Sequence, residues 1–160
     1  MDIYSFLTTH NIAYERFDHA AVFTCEQANE LCPDMPGASI KNLFLYDKKT
    51  SSYFLVIVRN GKRVDLKALK NMLDLPTLSF GPEDHLHKYL GVTPGSVTIL
   101  ALVNDFTNMV TVIFDADLKN KALQCHPLIN TATLVISADD IKKILSITQH
   151  TFDFLDIPER

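Results

Sequence analysis

The chain has 160 residues, of which 47% are hydrophobic and 21% charged, as is usual for one globular domain. Its formal net charge of −4 argues against a general nucleic-acid-binding protein, and no apolar run approaches the roughly 20 residues of a membrane-spanning helix. The three cysteines lack the spacing of a disulfide framework, which favours a reducing compartment. We therefore expect a single cytoplasmic domain over residues 1–160, without a signal peptide.

Capping residues and apolar spacing predict five helices. They begin at Asp2, at the sequence TCEQ (24–27), at Asp65, at Pro82 and at the sequence SADD (137–140). The helix after Pro82 is expected to end at Gly91, because glycine readily adopts the left-handed conformation that closes many helices.

The predicted strands fall between these helices. IKNLFLYD (40–47) and SYFLVIVR (52–59) flank the turn sequence KKTS and predict a hairpin of two buried strands. Further strands are predicted at 13–18, 78–81, 97–103, 109–114 and 132–137. Adjacent strands with scattered helices predict an α+β fold with a mixed, largely antiparallel sheet, and the periodicity leaves open whether that sheet curls into a barrel.

Positive charge is concentrated in residues 41–70, which hold eight basic residues against two acidic ones. Such a block can bind a polyanion at one place on an otherwise acidic protein. Alternatively, it is the solvated face of a hairpin and a helix. Lys41 opens a strand that is otherwise apolar, so it is either an edge residue that reaches solvent or a cation with a function.

The segment HPLINTATL (126–134) has more hydrogen-bonding side chains than a core strand needs. Its polar groups either satisfy one another or face a substrate. The segment GVTPGS (91–96) predicts a type II turn, with Pro94 and Gly95 at its centre. The outward N–H groups of such a turn could stabilise a developing oxyanion, or the turn is only a tight connection.

Other catalytic signatures are missing from the sequence. There is no zinc-ligand spacing, no glycine-rich phosphate loop and no nucleophile elbow, so we expect no metal and no cofactor. Cys125 precedes His126 directly, which is poor geometry for a thiol–base pair, and we interpret Cys125 as a small core residue.

Several segments together resemble one family. They are VFTCEQA (22–28), GASIKNLFLYDKK (37–49), YFLVIV (53–58), GVTPGSVT (91–98), VND (103–105), HPLINTAT (126–133) and SADDIKKIL (137–145). On these segments the chain is identified as a member of the YbaK/ProX family of aminoacyl-tRNA editing domains. It is most similar to the free-standing ProX (PrdX) branch, which resembles the editing insertion of prolyl-tRNA synthetases. The resemblance covers about residues 2–150, and the pair KNLFL and HPLINTAT is its specific part.

The resemblance implies a barrel-like sheet wrapped by helices and a hydrolytic enzyme. Its expected reaction is cleavage of the ester of mischarged tRNA(Pro), with Ala-tRNA(Pro) as the expected substrate. The alternatives are a deacylase for another small residue, such as cysteine or serine, and a non-catalytic module that binds tRNA or a synthetase. The expected partner is the acceptor end of aminoacylated tRNA, and prolyl-tRNA synthetase is a second partner to test. We do not expect the protein to bind DNA or a membrane.

Site residues follow from the resemblance and from the chemistry of an ester. The family lysine and histidine fall on Lys41, expected to be an electrostatic clamp, and on His126, expected to orient water or act as a base. Main-chain N–H groups at Gly95 and Ser96 are expected to bind the oxyanion. The expected substrate-binding residues are Phe23, Thr24, Asn42, Gly91, Pro94, Asn130, Thr131 and Ala132. The expected tRNA-binding residues are Lys48, Lys49, Arg59, Lys62 and Arg63.

Two positions depart from the family pattern. Tyr46 stands where arginine is frequent, and Ile99, Leu100 and Ala101 stand where Pro-Phe-Gly is frequent. Both changes are expected to affect a pocket wall or a tRNA contact rather than the reaction itself.

Overall fold

The fold is described here from a computed structural model, over residues 2–19 and 35–160. The α-helices of these ranges are Ile3–Thr9 (α1), Leu66–Met72 (α2), Glu83–Leu90 (α3) and Ala138–Thr148 (α4). The strands are Glu15–Asp18 (β1), Ile40–Asp47 (β2), Ser52–Arg59 (β3), Ser79–Phe80 (β4), Val110–Asp115 (β5), Leu123–Cys125 (β6), Ala132–Ile136 (β7) and Phe152–Leu155 (β8). Short 3-10 helices lie at Pro94–Ser96, Ile99–Asn104 and Ala116–Leu118. The helix predicted at 24–27 lies outside the described residues.

Three helices begin at the predicted capping residues. The side chains of Asp2, Asp65 and Ser137 accept hydrogen bonds from main-chain N–H groups three residues later, at 3.3, 3.0 and 3.2 Å. Each cap satisfies one of the N–H groups that the first turn of a helix leaves unpaired. Helix α3 follows Pro82 and ends at Gly91, whose φ of +69° is the left-handed conformation expected there.

The strands form two open sheets. The five-stranded sheet has the order β4-β2-β3-β5-β8, and the three-stranded sheet has the order β1-β7-β6. Strands β3, β5 and β8 pair in parallel, whereas the other neighbours pair antiparallel. The predicted α+β fold and the predicted β2–β3 hairpin are therefore confirmed. Neither sheet closes on itself within the described ranges, so "barrel-like" holds only as a loose description.

The three central strands of the five-stranded sheet, β2, β3 and β5, are largely buried on both faces, whereas the edge strands are more exposed. Ile40 and Phe44 of β2 lie in the main core, whereas Leu43 and Leu45 pack in a second cluster against α2. This alternation follows from the two-residue period of a strand, and it explains why the hairpin strands are almost continuously apolar. Among the described residues, no helix is both long and apolar enough to cross a membrane.

The prediction of a strand at residues 97–103 is wrong. This segment is a 3-10 helix, Ile99–Asn104, and the Thr98 side chain accepts a hydrogen bond from Leu100 N at 3.3 Å at its start. Ile99, Leu100 and Ala101 are each at most 1% exposed. A run that is buried on all sides carries no helical or strand periodicity, which is why its sequence did not distinguish the two.

The C-terminal tail contributes a strand and a buried polar pair that the sequence did not predict. Strand β8 pairs in parallel with β5, and His150 Nε2 lies 2.9 Å from Asp105 Oδ2. Burial alone would raise the pKa of Asp105. Hydrogen bonds from His150 and from the main chain of Val110 and Met109 outweigh burial and lower that pKa. The pair thus fixes the loop before β5 to the end of α4.

Tyr46, the first departure from the family pattern, belongs to an aromatic cluster. Its ring stacks on Tyr53 with centroids 5.0 Å apart and meets the edge of His85 at 5.1 Å. Tyr53 Oη also lies 3.0 Å from His85 Nδ1. The second departure, residues 99–101, lies in the main core. Both departures are thus explained by packing.

Candidate active site

The polar segment 126–131 is the connection between β6 and β7, and it precedes the strand predicted at 132–137. Leu128 has a φ of +70°, and β7 begins only at Ala132. Thr98, which is fully buried, donates a hydrogen bond from Oγ1 to the carbonyl of His126 at 2.8 Å. This bond joins the end of the 91–98 loop to His126, two segments that the sequence analysis placed in one site.

The imidazole of His126 is held in a mostly buried position. Burial lowers the pKa of His126, and the neighbouring His19 lowers it further, although a hydrogen bond to the main chain of Ala132 acts in the opposite direction. Nδ1 is buried and has no hydrogen-bond partner among the described residues. A neutral imidazole with an unpartnered nitrogen can accept a proton or a hydrogen bond from water or a hydroxyl group.

His19 is a site residue that the sequence analysis missed. Its main-chain N–H donates to the Thr131 carbonyl at 3.0 Å, and its Nε2 lies 2.9 Å from Oγ1 of the buried Thr133. His19 and His126 therefore both contact residues 131–133. A lone histidine after a short strand has no informative spacing, so only the β1–β7 pairing reveals its position.

The 91–98 loop differs from its predicted geometry. Residues Pro94–Ser96 form a 3-10 turn, closed by the hydrogen bond from Ser96 N–H to the Thr93 carbonyl at 2.9 Å. The predicted type II turn is wrong, because the φ of Gly95 is not positive. Ser96 N–H is thus already used, whereas Gly95 N–H has no partner within the described part of the chain. Gly91 serves as the end of α3.

Lys41 and His126 lie at equivalent places on two neighbouring, parallel segments. Ala38 forms a parallel bridge with Leu123, and Gln124 N–H donates to the Ala38 carbonyl at 3.1 Å. Lys41 and His126 each follow this bridge by three residues. Since Ile40 faces the main core, strand alternation directs Lys41 to the other face of β2. His126 is the first residue after β6. The two side chains are not hydrogen-bonded to each other.

Lys41 also lines a cavity of about 520 Å³. The remaining lining residues are Leu43, Arg63, Val64, Asp65, Leu66, Lys67, Phe80 and Arg160. The lining therefore combines apolar side chains with a basic rim made of Lys41, Arg63, Lys67 and Arg160. The predicted catalytic lysine is thus part of this cavity. His126 does not belong to this lining.

The expected substrate-binding residues are only partly brought together. Asn42 lies on the opposite face of β2 from Lys41, and its Oδ1 is buried without a partner among the described residues. Pro94 is exposed in the 3-10 turn, and Asn130, Thr131 and Ala132 lie in or just after the β6–β7 connection. Phe23 and Thr24 lie outside the described residues.

The five residues expected to bind tRNA do not form one surface. Lys48 and Lys49 are exposed in the β2–β3 turn, at the opposite end of β2 from Lys41. The guanidinium nitrogens of Arg59 lie 3.7 Å from Asp117 Oδ2 and 3.4 Å from Glu159 Oε2. Lys62 belongs to the interior of the fold, because it is 7% exposed and forms an ion pair with Asp115. Of the five, only Arg63 shares a cavity with Lys41.

Cys125 is part of the core beside the site. It is 1% exposed, and burial raises its pKa to about 12. A thiol with so high a pKa stays protonated at neutral pH and is a poor nucleophile.

Comparison with known proteins identifies the family. The sequence profile of the aminoacyl-tRNA editing domain matches residues 19–144. The chain belongs to this family. It is 35% identical over 147 residues to prolyl-tRNA editing protein ProX of Acetoanaerobium sticklandii, covering 91% of this chain and 90% of the relative. It is 37% identical over 153 residues to prolyl-tRNA synthetase associated domain-containing protein 1 of Danio rerio, covering 94% and 83%.

A solved structure shares the fold of this editing domain. A candidate trans-editing enzyme for prolyl tRNA synthetase superposes with a TM-score of 0.74, at 18% identity, covering 99% of this chain and 96% of the other. The range matched by the family profile begins at His19 and includes Lys41, the 91–98 loop and His126. His19, Lys41, the 91–98 loop and His126 thus lie within the matched range, whereas Arg160 of the cavity lies beyond it.

Proposed function

We propose that the chain hydrolyses the ester bond between a mischarged amino acid and tRNA(Pro), with Ala-tRNA(Pro) as its substrate. Membership of the editing-domain family and the two prolyl-tRNA-related relatives support this proposal. The observation that carries it is the His126 imidazole, whose buried Nδ1 has no partner in residues 2–19 and 35–160. The Thr98 side chain also hydrogen-bonds the His126 carbonyl, which joins it to the 91–98 loop. We expect the protein to encounter aminoacylated tRNA in the cytoplasm, the compartment expected from the sequence.

The proposed reaction is attack of water on the ester carbonyl. His126 accepts a hydrogen bond from the water and takes its proton as the new carbon–oxygen bond forms. The ester carbon–oxygen bond then breaks, the ribose oxygen receives the proton, and the free amino acid and tRNA leave. Gly95 N–H is available to stabilise the oxyanion, and Lys41 supplies positive charge near the terminal ribose. No covalent intermediate with the protein is required.

A size argument favours alanine over proline as the amino acid removed. A synthetase pocket for proline discriminates against a smaller residue by only about 1–3 kcal/mol per missing methylene, so a second hydrolytic site is useful. That second site must exclude proline by being too small. Ala132 is fully buried, and its main chain lies beside the His126 imidazole, so this small residue suits a tight wall.

A panel of charged tRNAs tests this specificity. We expect the purified protein to release alanine from Ala-tRNA(Pro) at least tenfold faster than proline from Pro-tRNA(Pro), with Cys- and Ser-tRNA(Pro) between them. The loss of labelled amino acid at neutral pH is the measurement. Faster release of cysteine or serine than of alanine would assign the domain to a different small residue, and release from none would remove the catalytic proposal.

The pH dependence of the reaction tests the role of His126. Because the pKa of His126 is lowered, the neutral form required of a base persists below pH 6.5, and the rate should fall only as pH drops through that lowered value. His19→Gln keeps an amide nitrogen to bond Thr133 but removes the second imidazole. The acid limb of kcat/KM should therefore move to higher pH in His19→Gln. An unchanged limb in this variant would exclude electrostatic coupling between the two histidines.

A further inference from the structure

The cavity beside Lys41 has an excess of positive charge. Lys41, Arg63, Lys67 and Arg160 line it, and none of them forms a salt bridge within residues 2–19 and 35–160. Among the described lining residues, Asp65 alone has a side-chain carboxylate, and it accepts the capping hydrogen bond from Ala68 N–H at 3.0 Å. By contrast, the neighbouring Arg59 and Lys62 are both paired with carboxylates. The four cations therefore outnumber the Asp65 carboxylate, and an anionic ligand would supply the further negative charge.

The basic rim is held in place by the main chain. Arg160 N–H donates to the Arg63 carbonyl at 2.8 Å, and Val64 forms an antiparallel bridge with Glu159. These contacts bring two arginines that are distant in sequence to one side of the cavity. Two guanidinium groups carried on neighbouring main-chain segments suit phosphate oxygens, which a guanidinium can bind in a bidentate way.

Phe80 presents an aromatic face at the same cavity. It lines the cavity and is 61% exposed, an unusual position for a phenylalanine. The next residue, Gly81, fixes this position. Its N–H donates to the Phe44 carbonyl at 2.9 Å, and a Cβ at this residue would lie 2.3 Å from the Phe44 ring. The close packing of β4 on β2 therefore holds Phe80 at the cavity mouth.

We propose that this cavity binds the single-stranded 3′ end of the tRNA, with its phosphates on the basic rim and one base stacked on Phe80. The inference rests on the proposed function, because Lys41 belongs both to this cavity and to the candidate active site. Positive grooves with aromatic stacking platforms are the general means of binding single-stranded nucleic acid. The cavity volume of about 520 Å³ lies in the range of small-ligand sites.

The strand geometry indicates which nucleotide reaches Phe80. Phe80 pairs with Leu45, four residues along β2 from Lys41, which corresponds to roughly 13 Å at the rise of a strand. This separation exceeds the rise of about 3.4 Å per nucleotide in a stacked strand. With the terminal ribose at Lys41, the base on Phe80 therefore belongs to a nucleotide upstream of the terminal adenosine.

Two substrates and one matched control test this inference. Phe80→Ala is compared with Phe106→Ala, which alters a phenylalanine that is 87% exposed and lines a different cavity. Steady-state kinetics are measured on Ala-tRNA(Pro) and on 3′-alanyl-adenosine, which lacks every upstream nucleotide. We expect Phe80→Ala to raise KM for Ala-tRNA(Pro) roughly tenfold through loss of stacking, with a several-fold smaller effect on alanyl-adenosine.

The salt dependence of the reaction tests the basic rim. For Ala-tRNA(Pro), Arg160→Ala should flatten the slope of log kcat/KM against log salt concentration by about 0.7, as expected for the loss of one phosphate contact to a single strand.

Equal KM values for Phe80→Ala and Phe106→Ala on Ala-tRNA(Pro) would overturn the inference. An equal loss on both substrates would also overturn it, since Phe80 would then act on the terminal adenosine or on the fold. If the wild-type protein released no amino acid from either substrate, the proposed function would fail. Binding of an uncharged oligonucleotide ending in CCA, measured by fluorescence anisotropy, would still decide the inference in that case, with weaker binding by Phe80→Ala as the supporting result.

Discussion

Replacing Lys62 by methionine is expected to lower the free energy of unfolding by about 3–5 kcal/mol, because it leaves the Asp115 carboxylate buried without its partner. The side chains of Lys62 and Asp115 are only 9% and 4% exposed. In a chain of this length, such a loss corresponds to a fall in Tm of roughly 6–20 °C. Thermal or urea unfolding followed by circular dichroism measures the change.

The double variant Lys62→Met/Asp115→Leu is the matched control for this prediction. It removes both charges, so it should recover much of the stability lost in Lys62→Met. A loss below about 1 kcal/mol in the single variant would show that the pair does not carry the expected energy. The outcome also separates two interpretations of the basic block, since a tRNA-binding Lys62 would weaken tRNA binding without changing Tm.

Replacing Lys41 by methionine is expected to slow deacylation of Ala-tRNA(Pro) by about 100-fold or more, the usual cost of removing one group that stabilises developing charge. Methionine keeps the length of the side chain and removes its charge. The free energy of unfolding should change by no more than about 0.5 kcal/mol, since no carboxylate is left unpaired. Single-turnover release of labelled alanine is the measurement.

Lys119→Met makes the same substitution at an exposed lysine between the 3-10 helix Ala116–Leu118 and β6, outside the cavity lining. We expect it to deacylate at the wild-type rate. Lys41→Arg should recover only part of the activity, because a guanidinium group has a different shape and charge distribution from an ammonium group. A Lys41→Met protein that releases alanine as fast as Lys119→Met would remove Lys41 from the mechanism.

The parts of the fold that were predicted from sequence depend on local signals. Asp2, Asp65 and Ser137 each cap a helix because a short polar side chain reaches the N–H three residues later. The β2–β3 hairpin follows from two apolar runs around a polar turn. These signals lie within a few residues of each other, so the sequence alone is sufficient to detect them.

The parts that were not predicted depend on contacts between distant residues. Strand β8 has a weak pattern of its own and is defined by its pairing with β5. Asp105 and His150 are 45 positions apart, and nothing local indicates that they form a buried pair. The 3-10 helix Ile99–Asn104 was mistaken for a strand because complete burial removes periodicity.

The predictions of site residues divide in the same way, between local signals and contacts of distant residues. His126 and the 91–98 loop were singled out by their composition, and the Thr98 hydrogen bond joins them. The role of Lys62 could not be read from charge density, because its partner Asp115 lies 53 positions away. Likewise, the basic rim depends on Arg160, which reaches Arg63 only through the fold of the C-terminal segment.

The central claim is that Lys41 and His126 face the same substrate. A stable analogue in which an amide replaces the ester of 3′-alanyl-adenosine can be titrated into the protein while NMR signals of the lysine and histidine side chains are followed. The account predicts that Lys41 and His126 signals shift together, at the same analogue concentration, while those of Lys48 stay unchanged. A shift at only one of the two residues, in a protein that still hydrolyses Ala-tRNA(Pro), would contradict the claim.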